Sequence, residues 1–264
     1  MGTAILSGLL KAGFDAANVS VSTKSAASAA KLAESLGVNA YSAEQSIDAN
    51  SQAAAGADVV LVAVKPAYVV SVLQEVSASL NANALVVSVA AGITTASMQA
   101  ALPESVAVIR SMPNTPAIVG RAVTGLAKGT RASAEQLVQA SSLFETVGKI
   151  VVLDEEQIDA LGTVSGSGPA YVFYLIEELT KAAQGMGFDA ETAHTLVSET
   201  FLGASELLAA SGKTPQELRK QVTSPNGTTM RAIAVLEEAN LAALFENATN
   251  AALARSKEIA AGLG

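Results

Sequence analysis

Between residue 15 and about residue 150, apolar runs of strand length alternate with alanine-rich stretches of helical period, and after Val152 the strand signal stops. Strand–helix alternation is the mark of a parallel sheet flanked by helices, whereas an unbroken succession of helical periods makes a helical domain. The 264 residues therefore divide into an α/β domain over 1–152 with a parallel sheet and an all-α domain over 153–264. No low-complexity linker separates them, so the boundary is read as a packed junction. Strands are expected at 19–22, 58–64, 85–89 and 107–111; such short β-branched runs without polar alternation suit strands buried on both faces. Helices are expected at 3–12, 25–36, 67–80, 95–101 and 133–146, with Ser133 as an N-cap and Gly37 as a C-terminal stop. The second half reads as helices at 155–164, 169–184, 190–210, 214–221, 227–238 and 241–261. Its alanine-rich surfaces, short of aromatics, call for a partner subunit to complete the core, which means a homodimer through this domain.

Composition removes several function classes. The chain has no cysteine, so disulfides, thiolate nucleophiles and Cys-based zinc sites are out, and the single His194 excludes a multi-histidine metal centre. His194 falls in a helical run and is read as structural. A formal charge of −8 argues against a broad basic face for nucleic acid, while leaving room for a local cationic pocket. With no apolar run of about eighteen residues and no signal-peptide pattern at the start, no membrane partner is expected and the protein is placed in the cytoplasm.

In an open parallel sheet, ligands bind beyond the carboxyl ends of the strands. Three such ends stand out. Strand 58–64 runs into Lys65-Pro66, strand 85–89 into Ala90-Ala91-Gly92, and strand 107–111 into Met112-Pro113-Asn114-Thr115-Pro116. Small residues let a cofactor approach the backbone, and prolines fix the exit of each loop. Any one of these passes as an ordinary βα turn; three on one sheet edge describe a nucleotide cleft.

The first expected strand is followed by Ser22-Thr23-Lys24-Ser25, with no carboxylate where an NAD-selecting fold carries one. Hydroxyls and an ammonium suit a 2′-phosphate and point to NADP(H), although the same residues also make a solvated turn capped by Ser25. In the helical half, Val222-Thr223-Ser224-Pro225-Asn226-Gly227-Thr228-Thr229 leads straight into an apolar helical pattern. A glycine and two threonines there offer free N–H groups, hydroxyls and the positive end of the helix dipole to a carboxylate; simple capping is the alternative. Ser165-Gly166-Ser167-Gly168-Pro169 opens another helix, and its small residues imply that something packs closely against it.

Taken together, Ala63-Val64-Lys65-Pro66, Ser88-Val89-Ala90-Ala91-Gly92, Arg110 to Pro116, Ser165-Gly166-Ser167-Gly168-Pro169-Ala170-Tyr171 and Val222 to Thr229, in this order, resemble the pyrroline-5-carboxylate reductase family over essentially the whole chain. The last segment is the most specific; the first two occur loosely in other nicotinamide enzymes. The resemblance implies NADPH-linked reduction of 1-pyrroline-5-carboxylate to proline, the last step of proline biosynthesis. It also implies an N-terminal Rossmann-like, NADP-binding domain with a parallel sheet, a helical C-terminal domain that intertwines into a dimer, and rings of such dimers. NADP(H) is the implied cofactor, with NAD(H) left open. Carried over by motif, Ala63, Val64, Lys65, Pro66, Val89, Ala90 and Ala91 would line the nucleotide together with Gly2 and Asn114. Ser22, Thr23 and Lys24 would lie near the ribose phosphate, and Asn50 near the adenosine end. Asn226, Gly227, Thr228 and Thr229 would bind the substrate: the Gly227 and Thr228 N–H groups as carboxylate anchor, the Thr229 hydroxyl as the catalytic group that orients the ring nitrogen. A protonated imine is already electrophilic, so hydride transfer needs orientation and a dry cleft more than a strong acid, which agrees with a site lacking His and Cys.

Two departures from the family pattern bear on this. Only Met1-Gly2 remains of the glycine-rich loop, so the first strand and most of the pyrophosphate loop are expected to be missing, roughly a dozen residues, leaving strand edges unpaired. Asn226 stands where many relatives carry glycine. Two other readings compete: a β-hydroxyacid dehydrogenase or related imine reductase, the former disfavoured because 170–174 holds no lysine, and an inactive truncated form serving only as a helical oligomerisation scaffold.

Overall fold

The computed structural model describes residues 1–260. By packing, the chain forms two compact units, one of residues 1–167 joined by the chain from Ala252 on, the other of Gly168–Ala251. The division at 152 follows secondary-structure type; residues 153–167 are helical in character yet pack with the first unit.

The first unit begins with α1 (Gly2–Lys11), β1 (Ser20–Thr23), α2 (Ala26–Leu36), β2 (Asn39–Ser42) and α3 (Ala49–Ala54). It continues through β3 (Val59–Val62), α4 (Val69–Val76), β4 (Leu85–Ser88), α5 (Thr95–Ala100) and β5 (Ala107–Met112). β6 (Ala122–Lys128), α6 (Ala134–Glu145), β7 (Gly148–Val152), α7 (Glu155–Leu161) and a π turn (Gly162–Gly166) complete it. The strands make two sheets: β1 and β2 pair in parallel, and a five-stranded sheet runs in the order β3-β4-β5-β6-β7. β1 and β3 each pair on one side only, so the hydrogen-bond ladder is interrupted between them.

The strands pair in parallel, as expected, except at one point: β6 pairs antiparallel with β5, Met112 opposite Gly125. β2, β6, β7 and α3 had no clear sequence signal. In β6 the run Ala-Val-Thr-Gly-Leu-Ala-Lys is diluted by small and polar residues, and Gly125 gives α7 a close approach: a Cβ there would come within 2.8 Å of Leu161 Cδ1, which would have to shift. The expected helix 67–80 is α only over Val69–Val76, flanked by 3₁₀ turns; Pro66 sets its entry, and Val69, Leu73 and Val76 lie one turn apart and fully inside.

β4 shows why the strands lack polar alternation. Leu85 and Val87 face a core with Ile5 of α1 and Phe144 of α6, whereas Val86 faces a second core with Val69, Leu73 and Met98. Both faces are covered, so every residue of the strand is buried. Burying a side chain such as Phe144 or Leu73 contributes about 2–3 kcal/mol each.

The second unit holds α8 (Gly168–Gly185), α9 (Ala190–Ser211), α10 (Pro215–Gln221), α11 (Thr228–Glu238) and most of α12 (Leu241–Ala260). The expected last residue of α12, 261, lies outside the described residues. Asp189 and Thr214 cap α9 and α10, the latter in a capping box with Glu217. Large apolar side chains remain at the surface of this unit, among them Phe173 at 66%, Leu202 at 52% and Leu244 at 55% exposure, and this is far more than a finished helical domain leaves in water. No helix among the described residues is long and apolar enough to cross a membrane.

Candidate functional site

The carboxyl ends of β3, β4 and β5 present the three loops singled out in the sequence. α1 starts against the first of them: a Cβ on Gly2 would stand 3.0 Å from Ala63 Cβ, so glycine lets the helix start approach the strand end closely. The first N–H groups of α1 have no acceptor within the helix, and this terminus suits a phosphate. Val64, Lys65 and Pro66 follow, with Pro66 opening the 3₁₀ turn.

After β4, Ser88 fixes the next turn. Its hydroxyl accepts a hydrogen bond from Ala90 N–H at 3.2 Å, and its carbonyl accepts one from the Ser111 hydroxyl at 2.8 Å. Val89 and Ala90 are thereby tied to the sheet while Ala91 is exposed, and Gly92 turns the chain with φ +75°, a conformation glycine adopts without steric cost.

At the end of β1 the structure brings together Ser22 and Asn50, 28 residues apart in sequence: the Ser22 hydroxyl donates to Asn50 Oδ1 at 2.7 Å, and Asn50 Nδ2 donates to Glu75 Oε2 at 3.0 Å. The Thr23 hydroxyl is engaged with Ser25 O at 2.9 Å. The absence of a carboxylate from the Ser22–Ser25 stretch does not hold in space, because Glu44 Oε2 accepts from Ala26 N–H at 2.7 Å and sits on the first turn of α2. β2 pairs with β1 in parallel, Thr23 opposite Ser42, so the residue two beyond the end of β2 comes back to this turn. Only the strand pairing could have revealed it. The same end of the unit has a groove of about 530 Å³ between α1 and α2, where Thr3, Ser7, Ser28 and Lys31 stand with Thr23. Lys31 is a cation that no strand end carries; its spacing of three from Ser28 puts both on one helix face.

Asn114 is nearly buried, and its side chain serves the fold: Nδ2 donates to Ser165 O at 3.0 Å and Oδ1 accepts from Val123 N–H at 2.9 Å. It joins the loop after β5 to the π turn. That turn is where the small residues of Ser165-Gly166-Ser167-Gly168 were expected to receive a close neighbour, and the neighbour is Met112, whose Cε would lie 3.2 Å from a Cβ at Gly162 and 3.1 Å from one at Gly166. π turns often mark functional sites.

The residues expected to bind substrate lie in the other unit, at the start of α11. Gly227 is its N-cap, and no side chain caps the helix. One expectation is corrected: Gly227 N–H donates to Ser224 O at 3.0 Å, closing the turn, so it is not the anchor donor. The donors at the helix start are those of Thr228, Thr229 and Met230, the first three helical residues. Gly227 itself is required by crowding, since a Cβ there would meet Ser224 Oγ at 2.5 Å. Asn226 takes φ +59°, the left-handed conformation that explains why glycine or asparagine stands here. Among the described residues neither threonine hydroxyl has a partner in the chain, leaving both available to a ligand.

Comparison with known proteins agrees with these features. The family model for pyrroline-5-carboxylate reductase dimerisation matches residues 155–259, and that for NADP oxidoreductase, coenzyme F420-dependent, matches 1–92. The pyrroline-5-carboxylate reductase of Pseudomonas aeruginosa is 41% identical over 265 residues, covering 100% of this chain and 95% of its own. The chain belongs to the pyrroline-5-carboxylate reductase family. Among solved members, the enzyme from Coxiella burnetii superposes with a TM-score of 0.91 at 37% identity over 97% of this chain and 94% of its own. The Plasmodium falciparum enzyme with NADP bound gives 0.83 at 26% identity, over 98% and 94%. Membership in a pyrroline-5-carboxylate reductase family with a dimerisation domain accounts for the exposed apolar faces of α8, α9 and α12, which lie within the matched 155–259.

Proposed function

We propose that this protein reduces 1-pyrroline-5-carboxylate to L-proline with NADPH, the last step of proline biosynthesis. The observation that carries the reading is the start of α11, where three backbone N–H groups and two hydroxyls are presented by a chain whose other unit has the small-residue strand ends of a nucleotide cleft. The residues fit NADP(H): Gly2 leaves room at a helix N-terminus beside Ala63, and Ser28, Lys24 and Lys31 offer a hydroxyl and two cations for a ribose phosphate beside Ser22 and Thr23, whose own hydroxyls are engaged with Asn50 Oδ1 and Ser25 O. Bound NADPH supplies the hydride. The chain's own work is to hold the substrate carboxylate on the N–H groups of Thr228, Thr229 and Met230, and to orient the ring nitrogen with the Thr229 hydroxyl. Val64, Lys65, Pro66, Val89, Ala90 and Ala91 would line the nucleotide, Asn50 would support its adenosine end through Ser22, and Asn114 would set the loop between them.

A second copy of this chain covers the apolar faces of the helical unit in a homodimer, and rings of dimers and a cytoplasmic location complete the reading. The test is loss of NADPH absorbance on adding pyrroline-5-carboxylate, with proline identified as product. Thr229→Ala should lower kcat/KM by about tenfold or more, the loss of one orienting hydrogen bond in a dry site. A folded protein that binds NADPH and yet leaves this substrate untouched would overturn the assignment.

A further inference from the structure

Among the described residues of the first unit, Arg110 of β5 is the one basic side chain drawn into the interior, with its side chain 3% exposed. It meets two carboxylates from one face of α7: Nη2 lies 2.6 Å from Asp159 Oδ1, and Nη1 lies 3.6 Å from Glu155 Oε1. Glu155 carries the contact onward. Its Oε1 accepts from Thr95 N–H at 2.7 Å and its Oε2 from the Thr95 hydroxyl at 2.6 Å, so one carboxylate holds the first residue of α5 by two charge-assisted bonds. Asp159 also accepts from the Ser256 hydroxyl at 3.3 Å, on the last turns of α12. Ala260 of those turns lies against the Gly92 turn, its backbone 3.7 Å from where a Cβ on Gly92 would stand.

These contacts converge on the segment from Val89 to Thr94. One end is fixed by β4, where Ser88 pairs in register with Arg110 itself and binds Ala90 N–H. The other end is fixed by Glu155 on Thr95. A cluster built for stability alone would be a poor investment of charge, since a buried ion pair roughly breaks even against apolar packing, and here Arg110 Nε finds no partner among the described residues. What the cluster does accomplish is geometric. It sets where the turn begins and ends.

We propose that Arg110, Glu155 and Asp159 are positioning residues that hold the 89–94 turn in the shape that binds NADP(H) without touching the cofactor, Glu155 through Thr95 and Asp159 by fixing Arg110 beside it. The proposal rests on the reading of this turn as cofactor-lining. Because removing Arg110 would strand two carboxylates and endanger folding, the test uses the outer contacts: Thr95→Val, Thr95→Ser, Glu155→Gln and, on the turn itself, Ala91→Phe. NADPH dissociation constants are measured by quenching of its fluorescence, alongside Tm without cofactor and kcat at saturation of both substrates.

Thr95→Val and Glu155→Gln should raise the Kd for NADPH by about tenfold, with kcat at saturation changed by less than about twofold and Thr95→Ser restoring the Kd. A fall in Tm with the Kd for NADPH unmoved makes the cluster structural only and overturns the proposal. If Ala91→Phe weakens NADPH binding while the Thr95 and Glu155 variants do not, the turn lines the cofactor but the cluster does not position it. If Ala91→Phe also leaves binding unchanged, the reading of the turn fails and the proposal falls with it.

Discussion

Asn114 Nδ2 donates to Ser165 O at 3.0 Å across 51 residues of sequence, while its Oδ1 takes Val123 N–H. A single amide thus bonds one backbone donor and one backbone acceptor, and joins the loop after β5 to the π turn. Asn114→Ala should cost about 2 kcal/mol in urea unfolding, since it strands two polar backbone groups. Asn114→Asp should cost at least as much, because a carboxylate cannot donate to Ser165 O. Equal stability for all three proteins would remove the bond from the account.

Gly148 answers to a backbone neighbour. A Cβ there would fall onto the backbone of Ala122, its partner in the β6–β7 ladder. Backbone cannot step aside as the tip of a flexible side chain can, so Gly148→Ala should destabilise by about 3 kcal/mol, whereas Gly166→Ala, which meets only Met112 Cε, should cost under about 1 kcal/mol. Thermal unfolding of the two variants gives the comparison directly.

The parts of this molecule that were legible in the sequence are those whose cause is local. The β-branched runs of β4 and β5 announce strands covered on both faces, and Ser133 announces the N-cap that starts α6. β6 could not be read in the same way, because Gly125 and Thr124 are dictated by α7 passing over it and by burial among neighbours far off in sequence. The site divides along the same line. Gly227 was visible as a helix start, but that its N–H is spent on Ser224 O follows from the turn's geometry, and the arrival of Glu44 beside Ser25 follows from the parallel pairing of β1 with β2. Sequence shows which groups a site has; pairing decides which of them are already engaged.

Glu44 bears on coenzyme choice. Its carboxylate occupies the first turn of α2 next to the residues proposed for the ribose phosphate, where a second negative charge would be repelled. Glu44→Gln should therefore raise the ratio of kcat/KM with NADPH to that with NADH by about fivefold, less at high salt, because the charge is exposed. An unchanged ratio at low salt would place the phosphate elsewhere.

Acid should loosen the helical unit first at its caps. The Asp189 carboxyl is held below its ordinary value of 3.8, chiefly by the backbone hydrogen bond from Thr192 and then by that residue's hydroxyl; Glu217 is held below 4.5 by the backbone and then the hydroxyl of Thr214. Both pKa values are depressed by folding, so each carboxylate stabilises the native state above its unfolded value, and the contribution is lost as pH falls through the folded one. Tm should be flat from neutral pH down to about 5 and then fall. Asp189→Asn, which can still accept a hydrogen bond but cannot titrate, should show a shallower fall below that point; an identical slope would mean the cap does not govern the transition.

Asn226 separates a conformational requirement from a chemical one. Its φ of +59° lies in the region where glycine is free, asparagine tolerated and a β-branched residue strained, and it immediately precedes the turn that Gly227 closes on Ser224. Asn226→Gly should therefore fold and turn over much as the native protein does, with KM for the imino acid within about twofold. Asn226→Val must either adopt the strained conformation, at about 1–2 kcal/mol, or pull the turn out of shape and carry the N–H groups of Thr228 and Thr229 with it. The second course is the informative one, since KM for the substrate would rise while the Kd for NADPH, bound in the other unit, would stay where it was. If the glycine variant raised KM as much as the valine one, the Asn226 side chain itself would be a substrate ligand, and the turn would owe its conformation to something other than this residue.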